Sequence, residues 1–241
     1  VPQPHQSTVR NRLLKALSPD DFALLQPHLE LIPTELRQPL IKPHEPIQQL
    51  YFPEIGFGSI TSLSAGSGRT NHVEVGLIGR EGVVGIMPAL LSVDRTPHDH
   101  FVQAAGEMLR IETSALTAAV RRSPSLNKLL QRSIYVQFVQ TAQTAFANAS
   151  YELDTRLARW LLMCHDRLDG DEIRLTHEFL SIMLGVTRSS ATLAVQALEG
   201  HQLIKARRGQ ITILNREALI EVADGSYGLP EAEFARLIEA A

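Results

Sequence analysis

The sequence predicts an α+β chain built as an N-terminal β-roll (jelly roll), a long helix, and a C-terminal winged helix-turn-helix. Three observations carry that prediction. Short β-leaning runs broken by Gly, Pro and Asn clusters fill residues 36–111. No charged residue occurs from Ser133 to Tyr151, although Gln, Thr, Ser and Asn keep that stretch from reading as a membrane span. Two helix-period segments flank the corner Gly185-Val186, and an alternating, basic run follows them. The divisions fall at residues 1–122, 123–150 and 151–241.

The 241 residues carry a net charge of −3, with 44% hydrophobic and 20% charged residues, which suits two modest domains that each bury a core. A mildly acidic chain does not coat nucleic acid indiscriminately, so any such contact has to come from a local patch. The single cysteine, Cys164, rules out internal disulfides and fits a reducing cytoplasm. The start of the sequence lacks a signal-peptide core, so a cytoplasmic protein is expected.

In chain order, Val1–Gln6 reads as a loose tail. Asn11–Leu17 and Ser18–Leu29 read as short helices, the second opened by Ser18 with Pro19 in its first turn. The β-leaning runs are Leu36–Ile41, Gln49–Phe52, Gly58–Leu63, Val73–Ile78, Val83–Met87, Phe101–Ala104 and Glu107–Ile111. Thr113–Val120 closes the roll as a helix, and Ser123-Pro124 opens a long one that runs to about Ala149. A helix this long without charge has no evident solvent face. One sector (Leu130, Ile134, Phe138, Ala142, Ala145) is assigned to a second copy of the chain, and Leu129, Val136, Val139 and Phe146 to the roll. Glu152–Leu168 is amphipathic, with Cys164 a small core residue. Asn215–Ala223 is a further helix, and Pro230–Ala241 another, acidic and partly exposed.

Thr176 caps a helix carrying Phe179, Leu180, Met183 and Leu184; Gly185 ends it and Val186 plugs the turn. Thr187 caps the next helix, with Ala191, Leu193, Ala194, Ala197 and Leu198 available for packing. Its remaining face presents Arg188, Ser189, Thr192 and Gln196, which can hydrogen-bond phosphates or base edges. Leu203–Lys205, a turn at Arg207–Gly209 and Gln210–Leu214 form the wing. From Thr187 to Arg216, five cations (Arg188, Lys205, Arg207, Arg208, Arg216) oppose Glu199 alone. These features predict a DNA reader; a winged helix that binds protein is the alternative.

The stretch Asp154–Met163 (DTRLARWLLM) with LTHEFLSIMLGVTRSSATLAVQALEGHQLI resembles the C-terminal domain of the cyclic-AMP receptor protein / fumarate-nitrate regulator (Crp/Fnr) family of bacterial transcription factors. Weaker likeness to its cyclic-nucleotide-binding roll lies in LYFPEIGFGSI (Leu50–Ile60), read as strand, glycine turn and strand, and in GLIGREGVVGI (Gly76–Ile86). The resemblance implies a homodimer on a palindromic operator, an effector-sensing roll and, for an activator, RNA polymerase as partner. It places Arg188, Ser189 and Leu193 at base-reading positions, with Leu193 either touching a thymine methyl or packing inward. Phosphate contacts fall to Thr176, Thr187, Ser190, Lys205, Arg207 and Arg208.

The effector pocket departs from the family pattern. Gly85 is followed by the apolar Ile86 where cyclic-nucleotide binders place a glutamate. The phosphate segment falls at His98-Asp99-His100, where Asp99 repels a phosphate and no arginine stands; Arg95 is close but out of register. An effector other than cyclic AMP is expected. His98 and His100 read as surface-loop histidines, since two ligands without a third make a poor metal site. One cysteine excludes a thiolate-held iron–sulfur cluster, while a proximal haem histidine would leave no local motif. GREG at Gly79–Gly82 lacks a Walker lysine and reads as a hairpin turn. No metal, cofactor or enzymatic activity is expected.

Overall fold

The computed structural model describes residues 3–66 and 69–240; Val1 and Pro2 of the expected tail, and Ala241, lie outside them. The rest of the tail is pinned rather than loose. The Gln6 amide donates to the Leu17 carbonyl at 2.7 Å and the Gln26 amide to the Pro4 carbonyl at 3.0 Å. Two short helices follow, α1 (Arg12–Lys15) and α2 (Pro19–Leu25), and the Ser18 hydroxyl caps α2 by accepting from the Asp21 N–H. A 3-10 turn at Gln26–His28 leads into β1 (Glu30–Thr34). The sequence gives no sign of β1, because it lacks apolar alternation and contains Pro33. It is an edge strand, where a missing N–H is tolerated.

β2 (Pro39–Ile41), β3 (Gln49–Gly66), β4 (Arg69–Ile78) and β5 (Asp99–Glu112) complete the roll sheet in the order β1-β5-β3-β4, with β2 also on β5. Three expectations are corrected here. The stretch Leu50–Ile60 contains no turn: β3 runs straight through, with Gly56 in its middle. A Cβ there would stand 2.2 Å from the Ala104 carbonyl oxygen, and φ is +77°, so only glycine lets the strands approach this closely. Val83–Met87 is not a strand. It makes one isolated bridge, Tyr51–Val84, and then enters α3 (Ile86–Leu90). The runs at Phe101 and Glu107 are one strand, β5.

After α4 (Thr113–Arg122) the long helix α5 spans Pro124–Ser150, as periodicity predicted. α6 (Leu153–His165), β6 (Glu172–Arg174), α7 (His177–Leu184), α8 (Arg188–Gly200), β7 (Ile204–Arg207), β8 (Gln210–Ile213), α9 (Arg216–Val222) and α10 (Leu229–Phe234) follow, with a short π-helix at Ala235–Glu239. By contact the chain forms two compact units: Val1–Ile60, Ile78–Val139 and Glu231–Ala241 in one, Thr61–Leu77 and Gln140–Pro230 in the other.

In the first unit, Leu13, Phe22, Phe52, Met108, Leu116, Leu126 and Leu130 share one apolar core. Phe234 and Ile238 belong to it too, so the C-terminal segment, expected to be partly exposed and grouped with the winged domain, closes the roll's core instead. The apolar i, i+4 pair of an otherwise acidic segment is the physical reason. In the second unit, α6 packs on α8 and α9, and α7 packs on α8.

The long helix sorts its apolar residues differently from expectation. Leu126, Leu130, Ser133 and Val136 are buried at helical spacing, with Ile134 half-buried beside them. Leu130 and Ile134, assigned to a partner, therefore serve their own core. Phe138 (61% exposed), Ala142 and Ala145 face solvent, and Tyr135 and Phe146 extend the same stripe.

Candidate nucleic-acid interface

The reading elements are set by caps. The Thr176 hydroxyl accepts from the Phe179 N–H at 3.1 Å, and the Thr187 hydroxyl from the Ser190 N–H at 3.2 Å. Between them Gly185 takes the left-handed conformation, φ 65°, that ends α7. Leu180, Met183, Leu184, Ala191, Ala194, Val195 and Leu198 are buried, which fixes the angle between the two helices; Val186 is half-buried in the turn.

That packing leaves Arg188, Ser189, Leu193 and Gln196 exposed on α8. Leu193, at 66% exposed, points outward and Val195 fills the core place, so inward packing is ruled out for Leu193. Thr187, Ser189 and Ser190 form a hydroxyl cluster at the start of α8, with Thr187 2.9 Å from Ser189 and 2.8 Å from Ser190. Thr192 is engaged elsewhere: its hydroxyl donates to the Arg188 carbonyl at 2.9 Å and lies 3.1 Å from His177 Nδ1. It ties α7 to α8 and does not belong to the free face.

The wing is a three-stranded sheet, β6-β8-β7. The Glu199 carboxylate accepts from the Ala206 N–H at 2.9 Å, so the one acidic residue of the stretch anchors the wing. Lys205, Arg207 and Arg208 are exposed, and with Arg188 they have no ion-pair partner among the described residues. Arg216 is spent on structure. It reaches Asp166 at 2.6 Å and the Tyr227 hydroxyl at 2.7 Å, so it leaves the basic patch. Sequence reasoning missed Arg174. In β6 it stands opposite Gln210, which stands opposite Arg207, putting both arginines on one face of the sheet. The three-residue strand β6 is too short to show a period, which hid it.

The four roll residues assigned to an effector sit as follows. Ile86 is buried in the roll core, and His98 and Asp99 are half-buried. His100 is buried and not in a surface loop: as β5 enters the sheet, it pairs with Ile41. Burial, aided by the neighbouring His98, lowers its pKa to about 4. Nδ1 of each histidine is buried without a hydrogen-bond partner. Arg95 is exposed and pairs with Asp94 at 2.8 Å. Among the described residues no three His, Cys, Asp or Glu side chains group as metal ligands. Cys164 is fully buried, which pushes its thiol well up, away from the reactive thiolate. No helix among the described residues is long and apolar enough to cross a membrane.

Residues 155–222, which hold α6 to α9, match the Crp-like helix-turn-helix domain family. The chain is 23% identical over 192 residues to the global nitrogen regulator of Nostoc sp., covering 74% of this chain and 82% of that one. Residues 155–222 therefore form a Crp-like helix-turn-helix domain. Solved structures share the Crp/Fnr-like fold of this chain. A CRP-family transcriptional regulator from Thermus thermophilus superposes with a TM-score of 0.66 at 16% identity, over 83% of this chain and 98% of that one. The c-di-GMP-responsive global regulator from Xanthomonas campestris gives 0.64 at 17% identity, over 81% and 99%.

Proposed function

We propose that this chain is a Crp-family transcriptional regulator that reads a palindromic operator as a homodimer, with one α8 in each of two successive major grooves. The observation that carries this reading is the free face of α8 and the wing. Arg188, Ser189 and Leu193 stand exposed at the start of the helix, and Lys205, Arg207 and Arg208, unpaired among the described residues, lie on the wing. Arg188 makes the bidentate guanine contact, and Leu193 meets a thymine methyl. Thr176, Thr187, Ser190 and the wing cations, joined by Arg174, hold phosphates and fix register.

The stripe Tyr135, Phe138, Ala142, Ala145 and Phe146 of α5 supports dimerisation, since an apolar row along an exposed helix is covered by its own copy in a two-fold pair. In this reading residues 1–122 sense, 123–150 dimerise, and the following residues read DNA, with 231–241 returning to the roll. The effector is not cyclic AMP. The apolar Ile86, the acidic Asp99 and the uncharged, buried His100 offer nothing to a cyclic phosphate.

The test is binding of purified protein to its selected duplex and to random duplex across a salt series. Arg188→Ala weakens only the selected duplex; equal loss on both would reduce Arg188 to a phosphate contact. Phe138→Asp yields monomers in sedimentation, and a dimer that survives it would place the interface elsewhere. Saturable, tight cyclic-AMP binding by calorimetry would overturn the effector reading.

A further inference from the structure

The strands β3 and β4 are joined as a hairpin whose second strand carries Glu74, a carboxylate 5% exposed. Glu74 accepts a hydrogen bond from the indole N–H of Trp160 on α6 at 2.7 Å, and Trp160 is itself buried at 4%. Beside it, Val73 lies where it meets the corner of the helix-turn-helix. Its methyl groups are 3.4 and 3.5 Å from the Cβ position of Gly185. Around the same point Arg156 donates to the Leu184 carbonyl at 2.5 Å and to Asn148 at 3.0 Å, while Arg159 bonds Thr144 at 3.1 Å and the Ser226 carbonyl at 3.0 Å. Glu74, Trp160, Met183, Leu184 and the two arginines line a crevice of about 20 Å³, which has room for one water and none for an effector.

We propose that Glu74 is a positioning residue for DNA reading. Its bond to Trp160, with Val73 seated on the Gly185 corner, straps α6 and the helix-turn-helix to the hairpin and holds α8 in the orientation a palindrome requires. This rests on the DNA-reading assignment above. The strap touches the back of the reading motif, where Met183 and Leu184 are buried, and leaves Arg188, Ser189 and Leu193 exposed. It therefore orients the head and does not mask it. A buried indole N–H needs an acceptor, so the bond persists in any state that keeps the hairpin seated. Releasing it frees the head to sample other orientations. Apparent affinity for a site that needs two correctly set heads then falls by the fraction of time spent in the competent one. Random duplex, held through phosphates in many registers, makes no such demand.

Trp160 is the single tryptophan of the chain, so its emission reports the strap directly. The experiment compares full-length wild type, Glu74→Ala and Glu74→Gln for tryptophan emission, melting, and affinity for the selected and random duplexes at one salt concentration. Glu74→Ala is expected to red-shift the emission and lower affinity for the selected duplex about tenfold, corresponding to a competent fraction of about one tenth. Affinity for random duplex stays unchanged. Glu74→Gln keeps a carbonyl oxygen for the indole and restores most of the discrimination. A folded Glu74→Ala variant with unchanged discrimination, or with tighter specific binding, would overturn the proposal. If Glu74→Ala does not fold, Val73→Ala takes its place: a loss of about two- to threefold on the selected duplex alone supports the strap, and no loss rejects it. Wild-type protein that prefers no sequence would remove the DNA-reading premise itself, and this shows before any variant is made.

Discussion

The start of α8 and the start of β5 handle charge in opposite ways. On α8 and the wing, Arg188, Lys205, Arg207 and Arg208 stand in solvent without acidic partners among the described residues. On β5, His100 is buried opposite Ile41 of the roll core, with its pKa lowered to about 4. The first arrangement keeps cations hydrated and available, so an anion recovers their full attraction on binding. The second keeps a titratable ring uncharged at neutral pH, where it attracts no anion. One sequence thus supplies both an exposed cationic face and a buried, uncharged ring.

Acid should break this contrast with the largest effect. Between pH 6.5 and about 4 the unfolded chain takes up a proton that folded His100 refuses. Stability is therefore full above the unfolded value and falls as pH drops through this window, by about 3 kcal/mol at the acid limit. Denaturant melts at stepped pH should show that slope, and His100→Phe should flatten it. An unchanged slope in the variant would show that folding does not lower the His100 pKa.

On the other side of the contrast, Arg188→Ala should cost roughly 1–3 kcal/mol on the selected duplex, read as a shift in binding isotherms, with discrimination relaxed at one position per half-site. Thr187→Ala removes the cap of α8 and should lower stability by about 1 kcal/mol in thermal unfolding, with DNA affinity falling as the helix start frays. The smallest effect is expected at Arg174. Its replacement by alanine should reduce the slope of log affinity against log salt by about one, equally for selected and random duplex. No change in slope would remove Arg174 from the interface.

The reading head was legible because its determinants are local. Thr176, Gly185 and Thr187 act on their own helices, and apolar spacing marks the buried face. What sequence could not show depends on partners far along the chain. Thr192 turned to the Arg188 carbonyl and His177, Arg216 was drawn to Asp166, and Arg174 gained its place only through the pairing of β6 with β8. The roll was legible as β-rich but not strand by strand. Gly56 reads as a turn glycine, whereas its role is to let β3 pass close to the Ala104 carbonyl. Helical spacing in α5 identified two apolar sectors, yet the residues at their border, Leu130 and Ile134, took their side from the roll they pack on. Phe234 and Ile238 illustrate the same point, since an acidic segment with a few apolar residues gives no hint of which core will receive it.

The most direct test of the DNA-reading account is selection from a random duplex pool by the purified protein at fixed salt, run with and without cell extract to supply an effector. The account predicts an enriched palindrome with half-sites about one helical turn apart, with one position of each half-site turned degenerate when Arg188→Ala replaces the wild type. Enrichment of no sequence under either condition, or of one that Arg188→Ala recovers equally well, would contradict it.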